Sequence, residues 1–160
     1  MRNFPVFLIV ALVALAADQA TKAAALTGLS PGLPVPVLPG FNLTLGFNTG
    51  ASFGMLGGFM ADKPLLMAAL TSAITLGLIW MGVRATATPE RVGFALIAGG
   101  ASGNILDRLR QGAVTDFLDF YWRDWHWPTF NGADIAIFLG VALILLSSFL
   151  RPRQNERPHA

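Results

Sequence analysis

The 160-residue chain contains no cysteine, which excludes disulfides, a thiol nucleophile and cysteine-based metal or haem sites. Histidine is almost as scarce: His126 and His159 are the only two, too few for a histidine cluster. Charged residues make up 12% of the chain, about half the share a soluble domain carries. The formal net charge is only +2 and no basic stripe is present. A pI near 9.7 therefore does not point to nucleic acid. There is no internal repeat and no low-complexity tract. What remains is apolar: 54% of the residues are hydrophobic and the mean hydropathy is +0.58. The length allows one domain, and its solvent is mostly lipid.

The apolar residues fall into four runs. Spans are expected at about 4–26, 64–83, 92–109 and 133–150. A helix needs about 20 residues to cross the hydrocarbon, so the first and third reach that length only with their polar ends in the interface. A cleaved signal peptide is the alternative for the first run, given Arg2, an apolar stretch and the small-residue site Ala14-Leu15-Ala16. A retained first span makes the number of spans even and leaves both termini on one side. Arg2, Arg84, Arg91, Arg151, Arg153 and Arg157 then share that side, against Lys22, Lys63, Arg108, Arg110 and Arg123 opposite. That balance suits a cytoplasmic tail at 151–160 behind a single domain at 1–150. The acids divide more sharply: Asp18, Asp62, Asp107, Asp116, Asp119, Asp124 and Asp134 gather at the outer ends, leaving Glu90 and Glu156 inside. Such clustering concerns function more than orientation.

The Gly- and Pro-rich segment 28–60 ends in alternating residues, which predicts a small extracytoplasmic hairpin or sheet. Between the last two spans, Phe117, Phe120, Tyr121, Trp122, Trp125 and Trp127 crowd together, as in a loop lying at the headgroup level. The expected fold is an all-α membrane protein with four transmembrane helices, a small extracytoplasmic sheet and an interfacial aromatic loop.

Four polar constellations are candidates for chemistry. Asp18 and Lys22 stand four apart, acid first, the favourable order for an ion pair on one helical face; a structural pair is the preferred reading. Gly100-Ala101-Ser102-Gly103 matches the pattern of rhomboid-type serine proteases, but no span holds a histidine to take the serine proton. Helix packing explains this small-residue stretch better. Asn104, Asp107 and Arg108 share a face, and Asp107 also reaches Arg110, so nearby cations keep it ionised. Asp116 and Asp134 differ: both have apolar neighbours and no local cation. Two such carboxylates brought together share one proton. The ionised member then activates water while the protonated one assists the carbonyl and the leaving amine. Asp119 and Asp124 are expected to be solvated. An intramembrane acid also suits a proton or ion pathway, so protease and transporter both stand on these residues. A non-catalytic scaffold leaves the convergence of acids and asparagines unexplained.

Five ordered motifs add a resemblance. Asp18-Gln19-Ala20-Thr21-Lys22, Asn48-Thr49-Gly50-Ala51-Ser52-Phe53, Gly103-Asn104-Ile105-Leu106-Asp107-Arg108, Val114-Thr115-Asp116-Phe117 and Phe130-Asn131-Gly132-Ala133-Asp134 resemble the signatures of the lipoprotein signal peptidase (signal peptidase II) family. The resemblance runs from Asp18 to the end of the fourth span. It implies an aspartic endopeptidase of the bacterial inner membrane, with no cofactor or metal and no nucleic-acid partner. The family cuts signal peptides from prolipoproteins before the lipobox cysteine, once that cysteine carries a diacylglyceryl group. The implied dyad is Asp116 and Asp134. Asn48, Gly50, Asn104, Arg108 and Asn131 match positions that line the site and bind or orient substrate. Asp18, Lys22 and Asp107 match supporting positions. A monomer in contact with membrane lipids is expected, with its site near the periplasmic face.

Overall fold

The structure is a computed structural model that describes residues 4–50 and 63–150. Expectations for Arg2, Ala51-Ser52-Phe53, Asp62 and the 151–160 tail, with Glu156 and His159, lie outside the described residues. The elements run α1 (Phe4–Gly28), β1 (Val35–Leu38), β2 (Phe41–Asn48), α2 (Pro64–Arg84), α3 (Thr88–Gln111), β3 (Val114–Trp122), β4 (Trp125–His126) and α4 (Gly132–Leu150). Four long helices stand where the apolar runs predict them, and α3 starts four residues earlier than expected. Pro89 explains its start: proline is tolerated in the first turn, where its missing N–H would have no partner anyway.

Among the described residues, three helices (α1, α2 and α4) are long and apolar enough to cross a membrane by themselves. They are inside out relative to a soluble bundle. Ile9, Val13, Leu65, Ile74, Phe138 and Phe149 are all exposed, as lipid-facing side chains are. The less apolar α3 packs against α1, α2 and α4, and most of its first four turns are buried. Protein rather than lipid surrounds it, which removes the need for an apolar surface. Phe7 of α1 and Phe94, Ala95 and Ala98 of α3 form the core, with Leu78, Ile79 and Ile144 against them.

Glycine sets the closeness of α3 and α4. A β-carbon on Gly100 would fall 2.5 Å from the Ala133 carbonyl oxygen, and one on Gly140 would fall 2.5 Å from that of Gly93. Backbone meets backbone at these points, the packing that small residues permit between membrane helices.

The sheet corrects the expectation in one respect. The predicted hairpin is present as β1 and β2, but the sheet has four antiparallel strands in the order β1-β2-β3-β4. The aromatic segment expected as a loop is mostly strand, since Val114 to Phe120 pairs along β2 and Tyr121 and Trp122 pair with β4. Aromatic density hid the strand: at its start both faces are covered, and Val114, Thr115, Asp116 and Phe117 are all buried, so no alternation marks it. The tip keeps the expected character, with Trp122, Trp125 and Trp127 exposed.

Gly100→Ala should push α3 from α4 and cost about 1–3 kcal/mol, an overpacking penalty. A melting scan in detergent checks this, and an unchanged midpoint would refute the close-approach account.

Candidate active site

The site lies where β3, the ends of α1 and α3, and the start of α4 meet. At Gly112 the chain adopts φ 77°, and its N–H bonds to the Arg108 carbonyl at 3.1 Å. Glycine takes this left-handed conformation without strain, so it ends helices cleanly. The turn leads directly into β3 and sets Asp116 in the strand, 2% exposed. Gln111 braces the turn by donating to Thr115 Oγ1 at 2.7 Å.

Asn131 fixes the opposite side. It precedes α4, and its Oδ1 accepts the Asp134 N–H at 3.1 Å while Asp134 Oδ2 accepts the Asn131 N–H at 3.2 Å. This reciprocal arrangement is a capping box, in which two otherwise unpaired backbone donors of a helix start are satisfied together. The remaining amide group of Asn131 donates to Asp116 Oδ1 at 2.7 Å and to the Thr115 carbonyl at 3.2 Å. One wholly buried side chain therefore joins Asp116 to Asp134. Asn104 Nδ2 donates to Asp134 Oδ1 at 3.1 Å, so both oxygens of that carboxyl are occupied.

Asn48 reaches Asp116 from β2. In the β2–β3 register Asn48 opposes Val114 and Gly46 opposes Asp116, which makes Asn48 and Asp116 diagonal neighbours on one face. The Gly50 N–H donates to Asn48 Oδ1 at 3.1 Å, which turns the amide nitrogen of Asn48 toward the carboxyl it hydrogen-bonds. Burial and the negative charge of Asp134 push the Asp116 carboxyl up to about 6, against the opposing hydrogen bonds from Asn131 and Asn48. Its proton is thus held well above the usual carboxylate range.

Behind this layer lies a buried charge cluster. Lys22 Nζ sits 3.0 Å from Asp18 Oδ2 and 3.0 Å from Asp107 Oδ2, and it donates to Asn104 Oδ1 at 2.8 Å. All three ammonium donors are used. Asp18 Oδ1 accepts the Ala133 N–H at 2.8 Å, at the start of α4, and Asp107 Oδ2 accepts the Thr115 N–H at 3.0 Å. Gln19, which the sequence did not single out, donates to Asp18 Oδ2 and Asp107 Oδ1, both at 3.2 Å, and accepts from Arg110 at 3.1 Å. No local spacing signals that last contact, which joins residues 91 apart in sequence.

Two expectations change. Asp107 takes its cation from Lys22 on α1 rather than from Arg108 or Arg110, because Arg110 points to Gln19 and Arg108 points inward. Arg108 lies in electrostatic reach of Asp116, Asp134 and Asp107, and donates to the Asn104 carbonyl at 3.3 Å. Its buried Nε has no hydrogen-bond partner among the described residues. Asp119, expected in solvent, is 3% exposed. Strand pairing carries it inward to Thr44 Oγ1 at 2.8 Å, Asn42 Nδ2 at 3.4 Å and His126 Nδ1 at 2.8 Å. Asp124 is exposed as expected. Ser102 spends its hydroxyl on the Ala98 carbonyl of its own helix at 2.7 Å.

A cavity of about 480 Å³ opens beside Asp134, walled by Trp127, Pro128, Thr129 and Phe130 on one side and by Ile135 and Phe138 of α4 on the other. Apart from Asp134 and Thr129 its walls are apolar. A buried carboxyl, Asp116, beside an apolar groove lined by Asp134, on a bundle whose surface suits lipid, is the kind of site a membrane-embedded hydrolase uses.

The comparisons with known proteins agree. The family model for signal peptidase (SPase) II matches residues 10–150. The chain is 40% identical over 153 residues to the lipoprotein signal peptidase of Hydrogenovibrio crunogenus, covering 94% of this chain and 89% of the relative. It is 44% identical over 139 residues to that of Coxiella burnetii, covering 84% of each. A bacterial membrane enzyme structure obtained by the in meso method at 2.3 Å superposes with a TM-score of 0.80 at 28% identity, covering 98% of this chain and 94% of that one. The chain belongs to the signal peptidase II family of aspartic endopeptidases.

Lys22→Ala should cost about 3–5 kcal/mol, because it strands Asp18 and Asp107 as buried, uncompensated carboxylates. A large drop in melting temperature in detergent is expected. Lost activity at an unchanged melting temperature would contradict a supporting role.

Proposed function

We propose that the protein removes signal peptides from prolipoproteins whose lipobox cysteine carries a diacylglyceryl group, cutting before that cysteine with Asp116 and Asp134 as a catalytic dyad. The observation that carries this reading is the double use of Asn131, whose side chain binds Asp116 at 2.7 Å while its backbone N–H binds Asp134 at 3.2 Å. The two carboxyls are thereby held as a pair, one buried and one facing the apolar groove. The names of the relatives support the substrate class, since those proteins are lipoprotein signal peptidases.

In the proposed reaction the pair holds one proton. The ionised member takes a proton from water, and the resulting nucleophile attacks the scissile carbonyl. The protonated member hydrogen-bonds that carbonyl and then assists departure of the amine. Asn104 and Asn131 orient the carboxyls. Arg108 brings positive charge toward the tetrahedral oxygen, and Asn48 with Gly50 binds substrate from the sheet side. Asp18, Lys22 and Asp107 support this layer from behind. Residues 1–150 act as one domain that crosses the inner membrane four times, with α3 shielded by the other helices. Both termini and the 151–160 tail are cytoplasmic, the site lies near the periplasmic face, and the enzyme acts as a monomer among membrane lipids. A proton-linked transporter lacks a comparable motive here, because the acids gather at one end of the bundle instead of along its depth.

The test is a gel-shift assay in detergent with a diacylglyceryl-modified prolipoprotein. The wild-type chain should cleave it. Asp116→Asn and Asp134→Asn should each lose roughly 10³-fold or more in rate while remaining folded, as expected when a proton-transfer pair is broken. Substantial turnover by either variant would remove that residue from the dyad.

The pH profile provides a separate check. The Asn48 hydrogen bond favours ionised Asp116, so its loss lets the carboxyl keep its proton to higher pH. In Asn48→Ala the alkaline limb of kcat/KM that reports Asp116 should move upward. A downward shift, or none, would mean that Asn48 does not act on that carboxyl.

A further inference from the structure

Away from the dyad, a second acid is buried with a partner that the proposed reaction does not use. Asp119 of β3 is 3% exposed, and one of its oxygens lies 2.8 Å from His126 Nδ1 on β4. The other oxygen accepts from Thr44 and Asn42 of β2. Burial raises the Asp119 carboxyl, but the hydrogen bonds from His126, Thr44 and Asn42 outweigh it and hold the group below its ordinary range. Asp119 is therefore an acceptor, and Nδ1 must carry the hydrogen. The imidazole also stacks on Tyr121, with centroids 5.4 Å apart.

The position of this pair gives it a consequence. The segment just after His126 is the wall of the groove beside Asp134. Trp127, Pro128 and Thr129 line that groove, of about 480 Å³, and the same residues line a second cavity of about 440 Å³ that contains Asp119 and His126. The wall is thus a thin partition with space on both sides, and among the described residues no packed layer lies behind it. Its far end is clamped by Phe130, which exchanges backbone hydrogen bonds with Leu118 at 2.9 and 3.1 Å. At its near end the Trp127 N–H reaches the Phe120 carbonyl at 2.8 Å, and β4 adds only two residue pairs to the ladder. Proline at 128 has no N–H to contribute.

We propose that the Asp119–His126 pair is a latch that fixes the Trp127–Thr129 partition and so sets the width of the apolar groove in which the apolar part of the substrate lies. The proposal rests on the reading of the groove as part of the peptidase site. His126 is a positioning residue: it lines the second cavity, and its effect reaches substrate through Trp127. Without the latch the partition moves into the space behind it, the groove loses its fit, and substrate binding weakens while the dyad is untouched.

The test is steady-state cleavage of a dipalmitoylglyceryl-modified prolipoprotein in detergent. His126→Ala should raise KM roughly tenfold, about what loss of a hydrogen bond to a charged group is worth, with kcat within about twofold of wild type. His126→Asn should restore KM, because its amide nitrogen takes the place of Nδ1. Should His126→Ala fail to fold, diethyl pyrocarbonate on the His159→Gln chain reads the same quantity. Acylation of Nε2 leaves Nδ1 without a hydrogen, so KM should rise and hydroxylamine should reverse the rise. A fall in kcat at constant KM, unchanged kinetics, or failure of His126→Asn to rescue would each overturn the latch. Wild-type turnover in the same assay separates these outcomes from failure of the peptidase reading, under which no form cuts.

Discussion

The structure depends on a single ammonium group placed where water is scarce. Lys22 is 2% exposed and faces two carboxylates, each 3.0 Å away. A buried charge is tolerated only when paired and hydrogen-bonded. Asp18 and Asp107 satisfy that condition for Lys22, and Lys22 satisfies it for them. Each acid also accepts a hydrogen bond from the backbone of another element: Asp18 from the start of α4, Asp107 from the start of β3. The charge cluster is consequently a joint between α1, α3, α4 and the sheet. It fixes the two segments that carry Asp134 and Asp116.

Close helix packing and this polar joint support each other. Asp18 lies so near α3 that no side chain fits at Gly103, whose β-carbon would collide with the Asp18 carboxylate. One turn earlier Gly100 lets α4 approach, and that approach delivers Asn131 and Asp134 to Asn104. Small residues on α3 bring the backbones together and the polar residues that follow use the proximity. Because α3 is enclosed by the other helices, it can carry Asn104, Asp107 and Arg108 without presenting charge to lipid. Its low apolar content follows from that central position.

Much of this was legible from local sequence, and the exceptions have a common cause. The apolar runs located four helices, and the apolar flanks of Asp116 and Asp134 singled out those two acids before any geometry was known. The Asp18–Lys22 pair was readable because a four-residue helical spacing is a local fact. Asp107 was given the wrong cations for the same reason: the sequence offered Arg108 and Arg110 nearby, whereas Lys22 arrives from another helix. Asp119 was misread because its partners Asn42 and Thr44 reach it only through strand pairing. β3 itself was hidden, since a strand buried on both faces loses the period that reveals strands. Contacts made within one turn were visible, and those created by packing were not.

Asn131 shows why the two carboxyls sit in such unlike settings and yet act on each other. Asp134 belongs to a helix start, where its carboxyl accepts the Asn131 N–H. Asp116 belongs to a strand, 2% exposed, with little water. The negative charge of Asp134 makes ionisation of Asp116 more costly. The two carboxyls therefore sit in asymmetric settings. The asymmetry comes from backbone, a helix terminus set against a strand, and Asn131 belongs to both networks: it caps the helix and binds the strand's carboxyl. Separating the two acids therefore means breaking the Asn131 bond to Asp116 or its reciprocal cap with Asp134, both made by a wholly buried residue.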